Sequence, residues 1–162
     1  MSNLVFDIEA NGLLHNVSQI HCVATHNLDD GTNAFYPPDR LAEGIVALRD
    51  AERLIGHNII GYDLKAIWKI LGEWEEFPLI TDTLVVSRAL FPERKGGHGL
   101  AAWGAALGFP KGDQPDDWSV YTEDMGRYCQ QDVQVNAKVY QALDAELLKQ
   151  YGESLEGYKV YD

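Results

Sequence analysis

The feature that most constrains this 162-residue chain is an apolar strand near its N-terminus that runs into two carboxylates. The segment LVFDIEANG places Asp7 and Glu9 among strand-forming residues and ends in an Asn11-Gly12 turn. Because residues two apart in a strand point to the same side, Asp7 and Glu9 share one face of the sheet. Two adjacent carboxylates at the end of an apolar strand repel each other and resist desolvation. A divalent cation such as Mg²⁺ binds carboxylate oxygens and relieves both costs, so the strand predicts half of a metal site.

The acidic composition argues against a passive nucleic-acid-binding protein. The formal net charge is -12 at pH 7, whereas binding on a broad basic face needs positive charge. An enzyme whose carboxylates are neutralised locally by metal ions remains compatible with this charge. Cys22 and Cys129 lack CxxC spacing, so neither a zinc site nor a disulfide framework is predicted. With no signal peptide and no apolar run of about 18 residues, we expect a soluble cytoplasmic chain without a membrane partner.

The pattern of strands and helices predicts an α/β domain. Three strands over residues 4–10, 17–25 and 32–36 are joined by short turns, which favours an antiparallel meander. Further strands are predicted within residues 53–58 and 79–83, and helices over residues 40–50, 62–71, 83–90, 98–107 and 122–151. Asp39 is expected to cap the first helix and Asp82 or Thr81 the third. The order predicts one domain over residues 1–162, a mixed sheet with helices on both faces and a peripheral tail from residue 152.

Two further acids are candidates for completing the metal site. Asp63 lies at a strand-loop-helix junction, where α/β proteins place ligands, although an acid there equally stabilises a helix N-terminus. Tyr128 and Asp132 are four residues apart and share one helix face. A lone helical Asp is more often solvated or salt-bridged. The combination with three earlier carboxylates favours a site.

These residues together resemble a known family. Asp7-x-Glu9, Asn58 with Tyr62-Asp63, and Tyr128-x-x-x-Asp132 resemble the three motifs of the DEDDy branch of DnaQ-like 3′–5′ exonucleases, which have a ribonuclease-H-like fold. The resemblance covers about residues 4–151 and is closest to the proofreading domain of phage family A DNA polymerases. The segment 111–122 is shorter and more acidic than in that group.

The resemblance implies an activity and a set of roles. It implies a 3′–5′ exodeoxyribonuclease that releases nucleoside 5′-monophosphates by a two-metal mechanism. Two divalent cations, Mg²⁺ or Mn²⁺, would be held by the four acids, with Asp7 bridging them and Tyr128 orienting water. The catalytic set is Asp7, Glu9, Asp63, Tyr128 and Asp132.

Substrate contacts are expected to be few. Asn58 is a candidate for holding the terminal nucleotide, and Leu13 or Leu14 for wedging against terminal bases, although loop and core roles are common for such residues. Arg88, Arg94 and Lys95 form a short basic cluster beside two glycines. So few cations favour single-stranded or frayed DNA 3′ ends.

The sequence also leaves several alternatives open. The partner is expected to be a DNA polymerase, acting in trans or in a longer parent chain, in a bacterial or phage-infected cytoplasm. An exoribonuclease of the same branch would carry the same acids, since a 2′-hydroxyl contact is not visible in sequence. A catalytically silent module that docks on a polymerase, and an α/β domain with incidental acids, are the remaining readings.

Overall fold

A mixed five-stranded sheet forms the centre of the protein, which a computed structural model describes over residues 2–157. The strands are β1 (Asn3–Ala10), β2 (Ile20–Asn27), β3 (Asn33–Tyr36), β4 (Arg53–Gly56) and β5 (Leu79–Asp82). Their order across the sheet is β3-β2-β1-β4-β5. The first three strands are antiparallel, and β4 and β5 run parallel to β1. The predicted fold is therefore confirmed, with β1 as the strand at which the sheet changes direction.

Within residues 2–157, five α-helices cover the two faces of this sheet. They are α1 (Leu41–Arg49), α2 (Leu64–Leu71), α3 (Thr83–Leu90), α4 (Leu100–Ala106) and α5 (Glu123–Tyr151). Short 3₁₀ turns occupy Pro38–Arg40 and Leu155–Gly157, and a π-helical turn occupies Ile59–Asp63. No helix within the described residues has the length and apolar character that crossing a bilayer requires. The expected tail falls partly outside the description, because residues 158–162 are not included.

Alternation along β1 separates the core into two layers. Leu4, Phe6 and Ile8 are buried in the layer that also contains side chains of α1 and α2. Val5 lies in the opposite layer, among apolar side chains of α5. Asp7 and Glu9 have the same parity as Val5, so they point to the α5 side of the sheet.

Local hydrogen bonds shift several boundaries from those predicted. β2 begins at Ile20 and not at residue 17, because the Asn11 side chain accepts from the N–H groups of Ser18 and Gln19. The prediction that Asp39 caps α1 is wrong: it lies inside the 3₁₀ turn, and α1 starts at Leu41 without a side-chain cap. Thr122 does cap α5, accepting from Met125 N–H at 3.2 Å.

Candidate active site

The two acids of β1 lie on the face of the sheet that α5 covers. Glu9 is buried, with 6% of its surface exposed, and Asp7 is half-buried. The thiol of Cys129 on α5 donates to the backbone carbonyl of Asp7 at 3.5 Å, which holds the helix against the strand. The pairing with β2 shifts by one residue between Glu9 and Ala10, a bulge that ends the regular strand just beyond the acids.

Asp63 reaches the same strand from the π-helical turn after β4. Its Oδ2 accepts from the backbone N–H of Ile8, the residue between Asp7 and Glu9, at 3.4 Å. Asp82 fixes the loop before this turn: it accepts from the N–H groups of Asn58 and Ile60 at 2.9 and 3.0 Å. Asp82 also caps α3 through Leu84 N–H at 3.0 Å, which confirms its predicted structural role.

Helix α5 presents a row of side chains four residues apart towards the strand acids. Tyr128, Asp132 and Asn136 are all buried in this row. A pocket next to the row brings the first and third motifs together; its lining is Asp7, His57, Leu100, Lys111, Asp132 and Asn136. The structure therefore assembles all four sequence-predicted acids, together with Tyr128, around one end of β1.

Burial and mutual repulsion oppose the ionisation of the four acids. Burial, followed by the Asp132 charge, raises the pKa of Asp7, and burial followed by the Asp7 charge raises the pKa of Glu9 and of Asp63. Burial raises the pKa of Asp132 to about 6 against the opposing effect of Lys111. Within residues 2–157, Asp7 Oδ2 and Asp132 Oδ1 are buried oxygens with no hydrogen-bond partner.

This donor set fits hard divalent cations. Ligand atoms of Asp7, Glu9 and Cys129 lie within 4.8 Å of one another. The Cys129 thiol already donates to the Asp7 carbonyl at 3.5 Å, and a thiolate is a softer ligand than these cations prefer. The remaining donors are carboxylate oxygens, which Mg²⁺ and Mn²⁺ prefer. A cation would also supply the partner that the two orphaned oxygens lack.

Lys111 is a functional-site residue that sequence patterns did not reveal. Its Nζ lies 3.1 Å from Asp132 Oδ2 and 5.0 Å from the centre of the Tyr128 ring. Burial alone would lower the pKa of Lys111, but Asp132 and Tyr128 together raise it, so the ammonium stays charged. It comes from the irregular segment between α4 and α5, where no periodicity marks a side chain as inward-facing.

A hydrogen-bond network behind the pocket fixes His57 and Asn136. The ring nitrogens of His57 contact Thr83 Oγ1 and the carbonyl of His98, each at 2.8 Å. Asn136 Nδ2 donates to the same Thr83 oxygen at 2.9 Å. Burial lowers the pKa of His57 in this position. The network joins β4, α3 and α5 beneath the acids.

An open groove adjoins Glu9, and we call it the end groove. Residues 8–13 form one wall, and Asn58, Tyr62 and Trp118 contribute to the rest. Leu13 is 67% exposed in this groove, and Asn58 is exposed in a left-handed conformation (φ 62°). Trp118, which the sequence did not single out, packs edge-on against Tyr128 at 5.9 Å between ring centres.

The three residues of the predicted basic cluster have different surroundings in the structure. Arg94 stacks on Trp103 at 4.1 Å and donates to the Gly97 carbonyl, so it braces its own loop. Arg88 and Lys95 are exposed.

Sequence comparison relates the chain to part of two phage polymerases. The DNA-directed DNA polymerase of Enterobacteria phage T3 is 33% identical over 150 residues, covering 76% of this chain and 21% of the polymerase. The polymerase of Escherichia phage T7 is 32% identical over 151 residues, with the same coverage. The chain thus spans about one fifth of these relatives' length. No family model matches the sequence.

Solved nuclease structures share the fold. Brucella melitensis NrnC bound to pGG superposes with a TM-score of 0.71 at 21% identity, covering 92% of this chain and 74% of that one. The same protein with bound Mg²⁺ gives a TM-score of 0.68 at 20% identity, with 92% and 75% covered. Escherichia coli RNase D, an exoribonuclease involved in structured RNA processing, gives 0.57 at 19% identity, with 90% and 40% covered. These similarities establish the fold.

Proposed function

The chain is homologous to a segment of phage DNA polymerases and has the DEDD exonuclease fold, and from this we propose that it is a metal-dependent 3′–5′ exodeoxyribonuclease. It would remove nucleoside 5′-monophosphates one at a time from single-stranded or frayed DNA 3′ ends. The observation that carries the proposal is the assembly of four acids and Tyr128 at one end of β1. Such clustered, desolvated carboxylates are costly to the fold and mark functional sites.

In this proposal the four acids hold two divalent cations. Asp63 contacts the backbone of β1 next to Asp7, and Asp132 lines a pocket with Asp7. By the family resemblance, Asp7 would contribute to both cation sites, Glu9 and Asp132 would complete one, and Asp63 the other. When bound, such a pair makes a water more acidic and stabilises the oxygen that leaves the scissile phosphate. The structure of NrnC with bound Mg²⁺ supports magnesium as the cation.

Tyr128 would orient the attacking water. Burial raises the pKa of Tyr128 above its ordinary value, so the phenol is a hydrogen-bonding group and not a base near neutral pH. Its ring is held in position by Trp118 on one side and Lys111 on another. The water oxygen would bond to phosphorus as the bond from phosphorus to the 3′ oxygen breaks.

The end groove would receive the terminal nucleotides. Asn58 and Leu13 stand at this groove, the first with amide donors and acceptors and the second with an exposed apolar side chain. Leu13 would separate terminal bases, and Arg88 and Lys95 would contact phosphates farther along the strand. With a net charge of -12, affinity for long DNA should be low and should fall with salt.

The test is digestion of a 5′-labelled DNA with a 3′ overhang, in Mg²⁺ and in EDTA. The proposal predicts a ladder shortened from the 3′ end, mononucleotide products and no reaction in EDTA. Asp7→Asn should abolish product release, whereas Asp50→Asn, which changes an exposed acid at the end of α1, should not. Metal-dependent release that survives Asp7→Asn would contradict the proposed site.

An exoribonuclease is the second candidate, and the likeness in fold to RNase D, an exoribonuclease, favours it. A protein contact to the 2′-hydroxyl separates the two substrates. Parallel digestion of DNA and RNA of the same sequence decides between them. Faster cleavage of RNA at equal concentration would assign the chain to RNA.

The likeness to polymerases also suggests a proofreading setting. Because the chain matches 21% of each phage polymerase, we propose that it acts with a polymerase, in trans or within a longer chain. Addition of a cognate polymerase should then raise the rate of removing a mismatched 3′ nucleotide.

A further inference from the structure

Lys111 brings a positive charge into the acid site from an acidic segment. The segment KGDQPDDW has Lys111 as its basic residue and three aspartates. Lys111 is 22% exposed and its partner Asp132 only 7% exposed, so the ion pair is largely shielded from water. Removing one partner of a pair that is shielded in this way leaves the other charge uncompensated, which lowers stability.

The ammonium contacts a carboxylate that a bound cation would also use. Lys111 Nζ is 3.1 Å from Asp132 Oδ2, while Asp132 Oδ1 is buried without a partner in the described residues. Lys111 and Asp7 line the same pocket. An ammonium and a divalent cation beside the same carboxylates repel each other, with little water between them to reduce the repulsion.

We propose that Lys111 is a built-in counter-cation that pairs with Asp132 in the cation-free protein and leaves it when a divalent cation binds. The inference rests on the proposed function, since it takes the four acids to be the cation site. Lysine suits this role because its charge is compact and its stem is flexible. A groove lined by Asp113, Asp116 and Asp117 beside Tyr128 offers the displaced ammonium an acidic surface.

The test compares Mn²⁺ binding by the full-length chain and two lysine variants, using the electron paramagnetic resonance signal of free Mn²⁺. Lys111→Met keeps the length of the stem and removes the competing charge. Lys138→Met is the matched control, because Lys138 is an exposed lysine whose Nζ lies 4.9 Å from the centre of the Phe109 ring. Lys111→Met should bind Mn²⁺ about tenfold more tightly than wild type, equivalent to the loss of one charge-assisted hydrogen bond.

A second readout is thermal unfolding in EDTA and in saturating Mn²⁺. Lys111→Met should unfold at a lower temperature than Lys138→Met in EDTA, and Mn²⁺ should close this gap. If Lys111→Met does not fold, Lys111→Gln carries the same expected direction. Equal or weaker Mn²⁺ binding by the Lys111 variants overturns the inference.

The two proposals fail in different ways. If the wild-type chain binds Mn²⁺ and degrades DNA, but the Lys111 variants bind Mn²⁺ no more tightly, only the counter-cation inference is overturned. A wild-type chain that neither binds Mn²⁺ nor degrades DNA overturns the proposed function and this inference with it.

Discussion

Replacing Asp82 with alanine tests whether one buried carboxylate holds the loop that carries the second motif. Asp82 ends β5 with 2% of its surface exposed. It accepts three backbone hydrogen bonds, from Asn58, Ile60 and Leu84, at 2.9, 3.0 and 3.0 Å. The first two hold the loop into the π-helical turn, and the third caps α3.

The magnitude follows from these three bonds. A hydrogen bond to a charged group contributes about 1.5–3 kcal/mol, and an N-cap about 1 kcal/mol. Because Asn58 is exposed, water can replace part of what its N–H loses. We therefore expect Asp82→Ala to lower the free energy of unfolding by about 3–5 kcal/mol, a loss in the range seen when a buried network is broken.

The assay is urea unfolding of wild type, Asp82→Ala and Asp82→Asn. Asparagine keeps Oδ1, which serves Asn58 and Leu84, but puts an amide donor opposite the N–H of Ile60. Asp82→Asn should lower the free energy of unfolding by about half as much as Asp82→Ala, in the range of one charge-assisted hydrogen bond. A loss below about 1 kcal/mol for Asp82→Ala would refute the claim that this carboxylate holds the loop.

The same variant should also weaken catalysis. Asp63 follows the loop directly, and its carboxylate is anchored to β1 by a single 3.4 Å contact with Ile8 N–H. Loosening the loop should lower nucleotide release even at temperatures where the variant remains folded.

Three further predictions concern stability and the end groove. In EDTA, Asp7→Asn should be more stable than wild type, and this advantage should grow from pH 5 to pH 8. The pKa of Asp7 in the folded protein is about 7, above the ordinary 3.8, so the wild type loses stability as Asp7 ionises over this range and the variant does not. An equal advantage at both pH values in thermal unfolding would contradict this. Gly126→Ala should cost about 1–3 kcal/mol in urea unfolding, because its Cβ would lie 2.8 Å from Phe35 Cζ; a stabilised variant would show that the ring yields. Leu13→Ala should leave stability within about 0.5 kcal/mol yet slow digestion of duplex ends more than of single strands, and equal slowing would remove Leu13 from strand separation.

The parts of the site that follow local periodicity were predictable from sequence. The two-residue repeat of a strand puts Asp7 and Glu9 on one face, and the helical repeat aligns Tyr128 with Asp132. The two pairs meet only because α5 crosses the sheet where it does. No single segment encodes that crossing, and the family resemblance was what predicted it.

The irregular segments were not predictable in the same way. Lys111 and Trp118 occupy positions set by tertiary contacts, such as the 2.8 Å bond between His21 and the Trp118 carbonyl. The Asp39 cap was mispredicted because Pro37 and Pro38 favour a 3₁₀ turn that displaces the start of α1 by one residue. Side-chain acceptors such as Asn11 likewise shift strand boundaries without leaving a periodic signal.

Because α5 is long, opening of its C-terminal end should also affect the acid site. One helix of 29 residues carries Asp132 and also buries Leu143 and Leu147, so one of the four acids and much of the apolar layer belong to the same helix. Leu143 lies about 16 Å along the axis from Asp132 at a rise of 1.5 Å per residue. Any opening that detaches the far end also dismantles the acid cluster. A ligand bound at the acids should therefore protect peptide bonds near Leu147 from a protease, although it touches none of them.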